Sequence, residues 1–141
     1  MKTLSTTTKI SVRFSEVDSL AIVWHGHYIA YFEEAREAFG KQFGISYLDI
    51  KKEGYAVPIV KTSTEHLRPL KYGEVMTADA TFVNTRAAKI IFQYLIKNEA
   101  GDIVCKGETT QVFTAMKTGE MSLSNPGFFK KWKQKHDLLD A

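Results

Sequence analysis

Between Tyr28 and Phe43 the residues Tyr28, Phe32, Ala35, Phe39 and Phe43 recur at intervals of three and four. That spacing stacks them along one face of an α-helix. Glu33, Glu34, Glu37 and Lys41 lie largely off the stripe, and Gly44 follows it. Glycine accepts the left-handed conformation that ends a helix, so the helix is expected to stop there. A helix with so aromatic a face must bury it, and the rest of the chain supplies mainly strands for the purpose.

Upstream, Lys9 to Glu16 alternates, with Ile10, Val12 and Phe14 on one face, which predicts a half-buried strand. Residues 1–8 are polar and expected to be flexible, leaving 9–141 as one domain. Val17 to Trp24 is a loop apolar enough to be covered. After the helix, Ser46 to Lys52 suggests a short second helix ended by Gly54. Four strands follow: Ala56 to Leu67, Glu74 to Asn84, Lys89 to Lys97 and Ile103 to Met116. Pro58 puts the first of these at an edge or a strand start. Asn98 to Asp102 reads as a hairpin turn. The tail predicts a short amphipathic helix with Asn125 as cap and Pro126 at its first position. Its lysines, Lys130, Lys131, Lys133 and Lys135, read as a solvated face. One strand, a long helix and four antiparallel strands form an α+β pattern, simplest as a five-stranded sheet wrapped around the central helix. The apolar helix and the open sheet edges favour a partner chain.

The start of the long helix is unusual. Its first backbone N–H groups lack internal partners, and Val23-Trp24-His25-Gly26-His27 offers no good cap. Those donors either turn to water or bind an anion or a polarised carbonyl, helped by the helix dipole. Gly26 would let a ligand approach the backbone. Asp18 either stands beside such a ligand or caps the helix itself.

The 141 residues suffice for one core. A formal charge of +3 does not by itself argue for nucleic acid. No apolar run is long enough to span a bilayer, and the amino-terminal segment lacks the apolar stretch of a signal peptide, so a cytoplasmic protein is expected. The single Cys105 sits in an apolar strand pattern and reads as a buried, inert thiol. His25 and His27 have no further ligands at metal spacing, His66 and His136 stand isolated, and no metal is expected. There is no Gly-x-Ser-x-Gly elbow and no glycine-rich phosphate loop.

Val12-Arg-Phe-Ser-Glu-Val-Asp18, Ile22-Val-Trp-His25, Tyr28 and Phe32-Glu-x-Ala-Arg36 together resemble the hotdog-fold acyl-CoA thioesterases of the 4-hydroxybenzoyl-CoA thioesterase type. Ala56 to Val60, Glu65 to Pro69 and Tyr72-Gly-Glu74 support the likeness, which runs from about Ile10 to about Met116. The resemblance implies a hotdog fold and dimers, usually paired into tetramers, with active sites between subunits. It implies that Asp18 is the catalytic carboxylate and that the backbone N–H of His25 polarises the thioester carbonyl. It places Tyr28, with Trp24, Pro58 and Ile59, around the substrate, and Arg86 and Lys89 at the CoA phosphates; a solvated basic pair is the other reading of those two. The family often has glycine where this chain has Ala21. The substrate would be an acyl-CoA or acyl-carrier thioester, with no cofactor beyond the CoA it carries.

Thioester hydrolysis needs an attacking group and a grip on the developing oxyanion. Asp18 either attacks the carbonyl or activates a water, and the helix start supplies the grip. Catalysis by the His25 side chain is a further option. Glu33 and Arg36 read either as a surface ion pair or as residues near the subunit contact. A non-catalytic acyl-thioester or acyl-carrier binding module on the same fold is the alternative, since fold alone does not decide function. A hotdog dehydratase finds no paired histidine and acidic residue to support it.

Overall fold

The structure is a computed structural model that describes residues 3–138. Strand β1 (Ser5–Ser11) leads through two short 3-10 turns to helix α1 (Tyr28–Phe43) and helix α2 (Tyr47–Lys52). Then come β2 (Tyr55–Ala56), β3 (Ile59–His66), β4 (Val75–Val83), β5 (Lys89–Lys97), β6 (Ile103–Val112), β7 (Thr114–Ala115) and helix α3 (Gly127–Lys135). Five strands form one antiparallel sheet in the order β1-β4-β5-β6-β3, and β2 pairs with β7. Helix α1 lies across β1, β4 and β5. This is the expected hotdog arrangement, a long helix held by a five-stranded antiparallel sheet. Among the described residues no helix is long and apolar enough to cross a membrane.

The periodicities account for the packing. On β4, Met76, Ala78, Ala80 and Phe82 face the helix, and their neighbours do not. On α1, Tyr28, Phe32, Ala35 and Phe39 are buried, joined by Tyr31 and Gly40. Phe43 is only partly buried. Gly44 closes the helix at φ 72°, the left-handed value that glycine accepts. Phe32 is 0% exposed and stacks on Tyr94 of β5 at 4.6 Å between ring centroids. Its ring also lies on the backbone of Gly107 in β6, where a Cβ would come within 2.3 Å of it. Beside this contact, Arg36 donates from Nη1 to the Tyr94 hydroxyl at 3.0 Å, and that hydroxyl shares a 2.6 Å hydrogen bond with Thr109. Arg36 therefore anchors to the sheet. It makes no ion pair with Glu33 among the described residues, where the helix-surface pair is Lys41 with Glu37.

Several boundaries differ from the sequence expectations. The chain is ordered well before residue 9. Leu4 is buried, and β1 begins at Ser5, where Ser5 and Thr7 hydrogen-bond across to Thr81 and Asp79 and Thr6 donates to Gln42. Polar but β-branched threonines fit a half-buried edge strand, so polarity misleads there; residues 1 and 2 lie outside the described residues. Strand β1 also ends early. Glu16 accepts from the N–H of Arg13 at 2.8 Å, coiling Phe14–Glu16 into a turn and leaving Phe14 75% exposed. The single strand expected from Ala56 divides into β2 and β3 around Val57 and Pro58. Strand β3 does lie at the sheet edge, as Pro58 suggested.

The tail helix forms, but Pro126 occupies its cap position, and Asn125 instead donates its amide to the Arg86 carbonyl at 3.2 Å. Lys133 is not on a solvated face. It is 2% exposed, donates to the Thr85 carbonyl at 2.7 Å and lies over the Phe129 ring. A lysine whose ammonium reaches a backbone acceptor can bury its stem, which lets α3 seal the β4–β5 end of the core.

Replacing Gly107 by alanine should cost about 1–3 kcal/mol of stability, because the Phe32 ring cannot withdraw without opening the α1–sheet contact. Urea unfolding of the two proteins measures this.

Candidate functional site

The loop before α1 is a tight hairpin. Val17 pairs with Val23, the N–H of Asp18 donates to the Ile22 carbonyl at 2.9 Å, and the N–H of Ala21 donates to the Asp18 carbonyl at 2.9 Å. Ala21 closes the turn at φ 65°, a value that puts a Cβ in steric conflict. That explains in physical terms why glycine suits this place. The hairpin is fastened at two points: Val23 donates to the Leu70 carbonyl at 2.8 Å and Trp24 to the Glu16 carbonyl at 2.9 Å. The Glu16 carboxylate also accepts from the Tyr31 hydroxyl at 3.0 Å, so one residue joins the strand end, the loop and α1. Sequence reading missed that role, which only the spacing of fifteen residues between Glu16 and Tyr31 could have suggested. The loop is less covered than its apolar composition implied: Leu20 is 74% exposed and Trp24 half exposed, whereas Val23 is buried.

Helix α1 begins through a 3-10 turn, His25–His27, with Trp24 at the cap position and no side-chain cap. The N–H of His27 donates to the Trp24 carbonyl at 2.9 Å and that of Tyr28 to the His25 carbonyl. Among the described residues, no acceptor faces the N–H groups of His25 and Gly26. Asp18 does not cap the helix. One of its carboxylate oxygens accepts from the N–H of Leu20 at 2.8 Å within its own turn, and the other has no partner among the described residues. The helix start thus presents open donors and positive dipole, and the hairpin leading into it carries a carboxylate with an uncommitted oxygen. The absence of a Cβ at Gly26 has a packing consequence as well. A Cβ there would meet the Trp24 ring at 2.2 Å, so glycine makes room for the indole, which lies between the His25 and His27 rings.

Beneath the opening, Tyr28 is 3% exposed, with its ring 4.9 Å from His66 and 5.6 Å from Tyr31. Burial pushes the Tyr28 hydroxyl up to about 12, and the Cys105 thiol beside it adds to the shift. Tyr31 is raised too, first by burial and then by its hydrogen bond to Glu16. Cys105 is fully buried, as expected, and burial raises its thiol to about 11. His66 is not isolated. Its ring packs against Tyr28, lies 6.5 Å from the His25 ring, and sets Nδ1 3.8 Å from the Cys105 sulfur.

Trp24, His25 and Tyr28 therefore cluster with His66 where α1 begins, and Asp18 lies in the hairpin that leads into it. Pro58, Ile59, Arg86 and Lys89 do not join them. Ile59 pairs with Gln111 and Lys89 with Val112, whereas His66 pairs with Cys105. At about 3.3 Å per residue, the seven steps from Ile59 to His66 separate the two groups by roughly 23 Å. A groove of about 570 Å³ opens on the opposite face of the sheet, among Ser63, Glu65, Gln93 and Lys106, away from both groups. No cluster of metal-binding side chains occurs among the described residues.

Residues 12–133 match the thioesterase-like superfamily. The candidate acyl-CoA thioesterase YneP of Bacillus subtilis is 31% identical over 104 residues, 74% of this chain and 75% of its own. The 1,4-dihydroxy-2-naphthoyl-CoA hydrolase of Microcystis aeruginosa is 28% identical over 86% of this chain and 87% of its own. Among solved structures, the DHNA-CoA thioesterase of Staphylococcus aureus superposes with a TM-score of 0.85 at 23% identity, covering 94% of this chain and 89% of its own.

Two measurements probe the geometry of this end. Ala21→Gly relieves the left-handed strain and should raise stability by about 0.5–1 kcal/mol after the extra freedom glycine gives the unfolded chain, read from the denaturation midpoint. Tyr28 ionises near 10 when unfolded and about 12 when folded. Above pH 10 the unfolded state thus holds fewer protons, and stability should fall as pH rises through that window. Tyr28→Phe should flatten that alkaline decline in melting temperature.

Proposed function

The chain belongs to the thioesterase-like superfamily, and from that premise we propose that it hydrolyses acyl-CoA thioesters to the free acid and CoA at the start of α1. One observation carries this reading: the N–H groups of His25 and Gly26 have no acceptor among the described residues, while Asp18, in the hairpin that leads into the helix, spends only one carboxylate oxygen, and that within its own turn. A helix start left open beside a carboxylate that does not cap it suits a ligand with a polarisable carbonyl.

The reaction asks little more. A thiol leaving group with a pKa of about 8.5, by analogy with cysteine, departs as thiolate without a strong acid. The N–H of His25 steadies the oxyanion, a contribution of about 3–4 kcal/mol for such a donor. Asp18 acts in one of two ways. As nucleophile, its oxygen bonds to the acyl carbon, the C–S pair leaves with sulfur, and water then opens the anhydride. As base, it takes a proton from the water that attacks. Trp24 and Tyr28 border the acyl group.

The second part of the reading concerns Pro58, Ile59, Arg86 and Lys89. Strand β3 is exposed along its whole length, and among the described residues no strand lies beside its outer edge. An uncovered edge invites pairing. Two copies joined antiparallel by their β3 edges about a two-fold axis bring the Ile59 end of one against the His66 end of the other. That dimer completes each site from both chains, with Arg86 and Lys89 near the CoA phosphates, and further pairing of dimers gives a tetramer. A cytoplasmic location belongs to the same reading.

The test is a panel of acyl-CoAs assayed with a thiol-trapping dye. Thiol release by the wild type, its loss in a well-folded Asp18→Asn variant, and near-normal rates in His25→Ala are the expected outcomes. Tight binding of acyl-CoA without thiol release, or a fully active Asp18→Asn variant, contradicts the reading.

A further inference from the structure

His66 carries the inference. The pairing of β3 with β6 sets Thr64 opposite Gly107 and His66 opposite Cys105. Gly107 and Cys105 belong to the helix-facing side of β6, where Phe32 lies on Gly107, so His66 points to the same side as α1. It stands at the last position of an edge strand, exposed to solvent, yet its ring packs against two buried groups. Tyr28 lies at 4.9 Å between ring centroids, and the Cys105 sulfur lies 3.8 Å from Nδ1. Both neighbours stay neutral across the physiological range, because burial lifts the phenol to about 12 and the thiol to about 11. No carboxylate hydrogen-bonds to the ring among the described residues, and the recorded partner of the imidazole is the thiol at Nδ1.

The Cys105 S–H has two acceptors in reach, Nδ1 of His66 at 3.8 Å and the Lys106 carbonyl at 3.6 Å. The single thiol proton serves one of them at a time: turned to Nδ1 it leaves the ring proton on Nε2, and turned to the Lys106 carbonyl it lets Nδ1–H donate to sulfur. A donor role for His66 toward a ligand requires the first arrangement. In that arrangement Nε2, the ring nitrogen not on the thiol, carries the N–H. The His25 ring is 6.5 Å away, centroid to centroid, so the His66 imidazole stands next to the residue that opens α1.

We propose that His66 is a further catalytic residue of this site, its Nε2–H donating to the thioester oxygen beside the N–H of His25. The role rests on the hydrolase reading and adds to it a donor from the edge strand. It does not require a proton to leave the ring: the hydrogen bond strengthens as the carbonyl oxygen becomes an oxyanion, which is when such a donor accelerates the reaction. A packing role alone predicts something different. A histidine that only fills space beside Tyr28 would contribute to stability, with no selective effect on the chemical step.

The experiment measures thiol release from one acyl-CoA for the wild type, His66→Ala and His66→Gln, with melting temperatures alongside. His66→Ala should lower kcat about 100-fold, the scale of one oxyanion donor, with KM within about two-fold. Glutamine places an amide donor where Nε2 stood and should keep kcat within about five-fold of wild type. Added imidazole should restore part of the rate to His66→Ala. Wild-type kcat in His66→Ala overturns the role of His66 while leaving the hydrolase reading intact. A loss that glutamine and imidazole both fail to mend, with a matching fall in melting temperature, also overturns it. A wild type that releases no thiol from any acyl-CoA overturns both.

Discussion

The stacking of Phe32 between Tyr94 and the bare backbone of Gly107 sets where α1 sits on the sheet. Burying a phenylalanine contributes roughly 2–3 kcal/mol, and here the contact also fixes register, because a side chain on Gly107 would push the helix outward. The Arg36–Tyr94–Thr109 hydrogen bonds hold the same point from its polar side. Once the middle of α1 is pinned, its first turn has to emerge beside the 18–24 hairpin and the end of β3. The start of α1 and His66 are thus brought together by a contact that involves neither of them.

Much of this was legible in the sequence. The 3–4 spacing from Tyr28 to Phe39 gave the helix and its buried face, and Gly44 gave its end, because both depend on local geometry. The alternation along β4 and β5 was equally plain. Asp18 and His25 could be singled out because an uncapped helix start after a lone carboxylate is itself a sequence pattern. What could not be seen were the contacts made across the sheet. Gly107 looks like any strand glycine until Phe32 is placed on it. His66 looks solitary until β3 is paired with β6 and Cys105 faces it. Lys133 reads as surface until the Thr85 carbonyl appears at its end. In each case the deciding partner is distant in the chain, and hydrophobic pattern says nothing of it.

The separation between Ile59 and His66 along β3 gives the edge strand a second meaning. In one protomer it keeps the residues expected at the acyl group and at the CoA phosphates apart. The same exposed edge, paired with a copy of itself, removes that separation. The strained Ala21 and the exposed Leu20 and Trp24 lie at the end of the molecule that such a partner would approach. Strain and exposed apolar surface concentrated at one end are consistent with a site completed by association.

The most direct test of the central claim is a crystal structure with an acyl-CoA ketone analogue, in which a methylene group replaces the thioester sulfur. The ketone oxygen is expected about 3 Å from the backbone nitrogen of His25, with the free oxygen of Asp18 facing the carbonyl carbon. A ketone bound away from the helix start, or an Asp18 carboxylate turned from it, would contradict the claim.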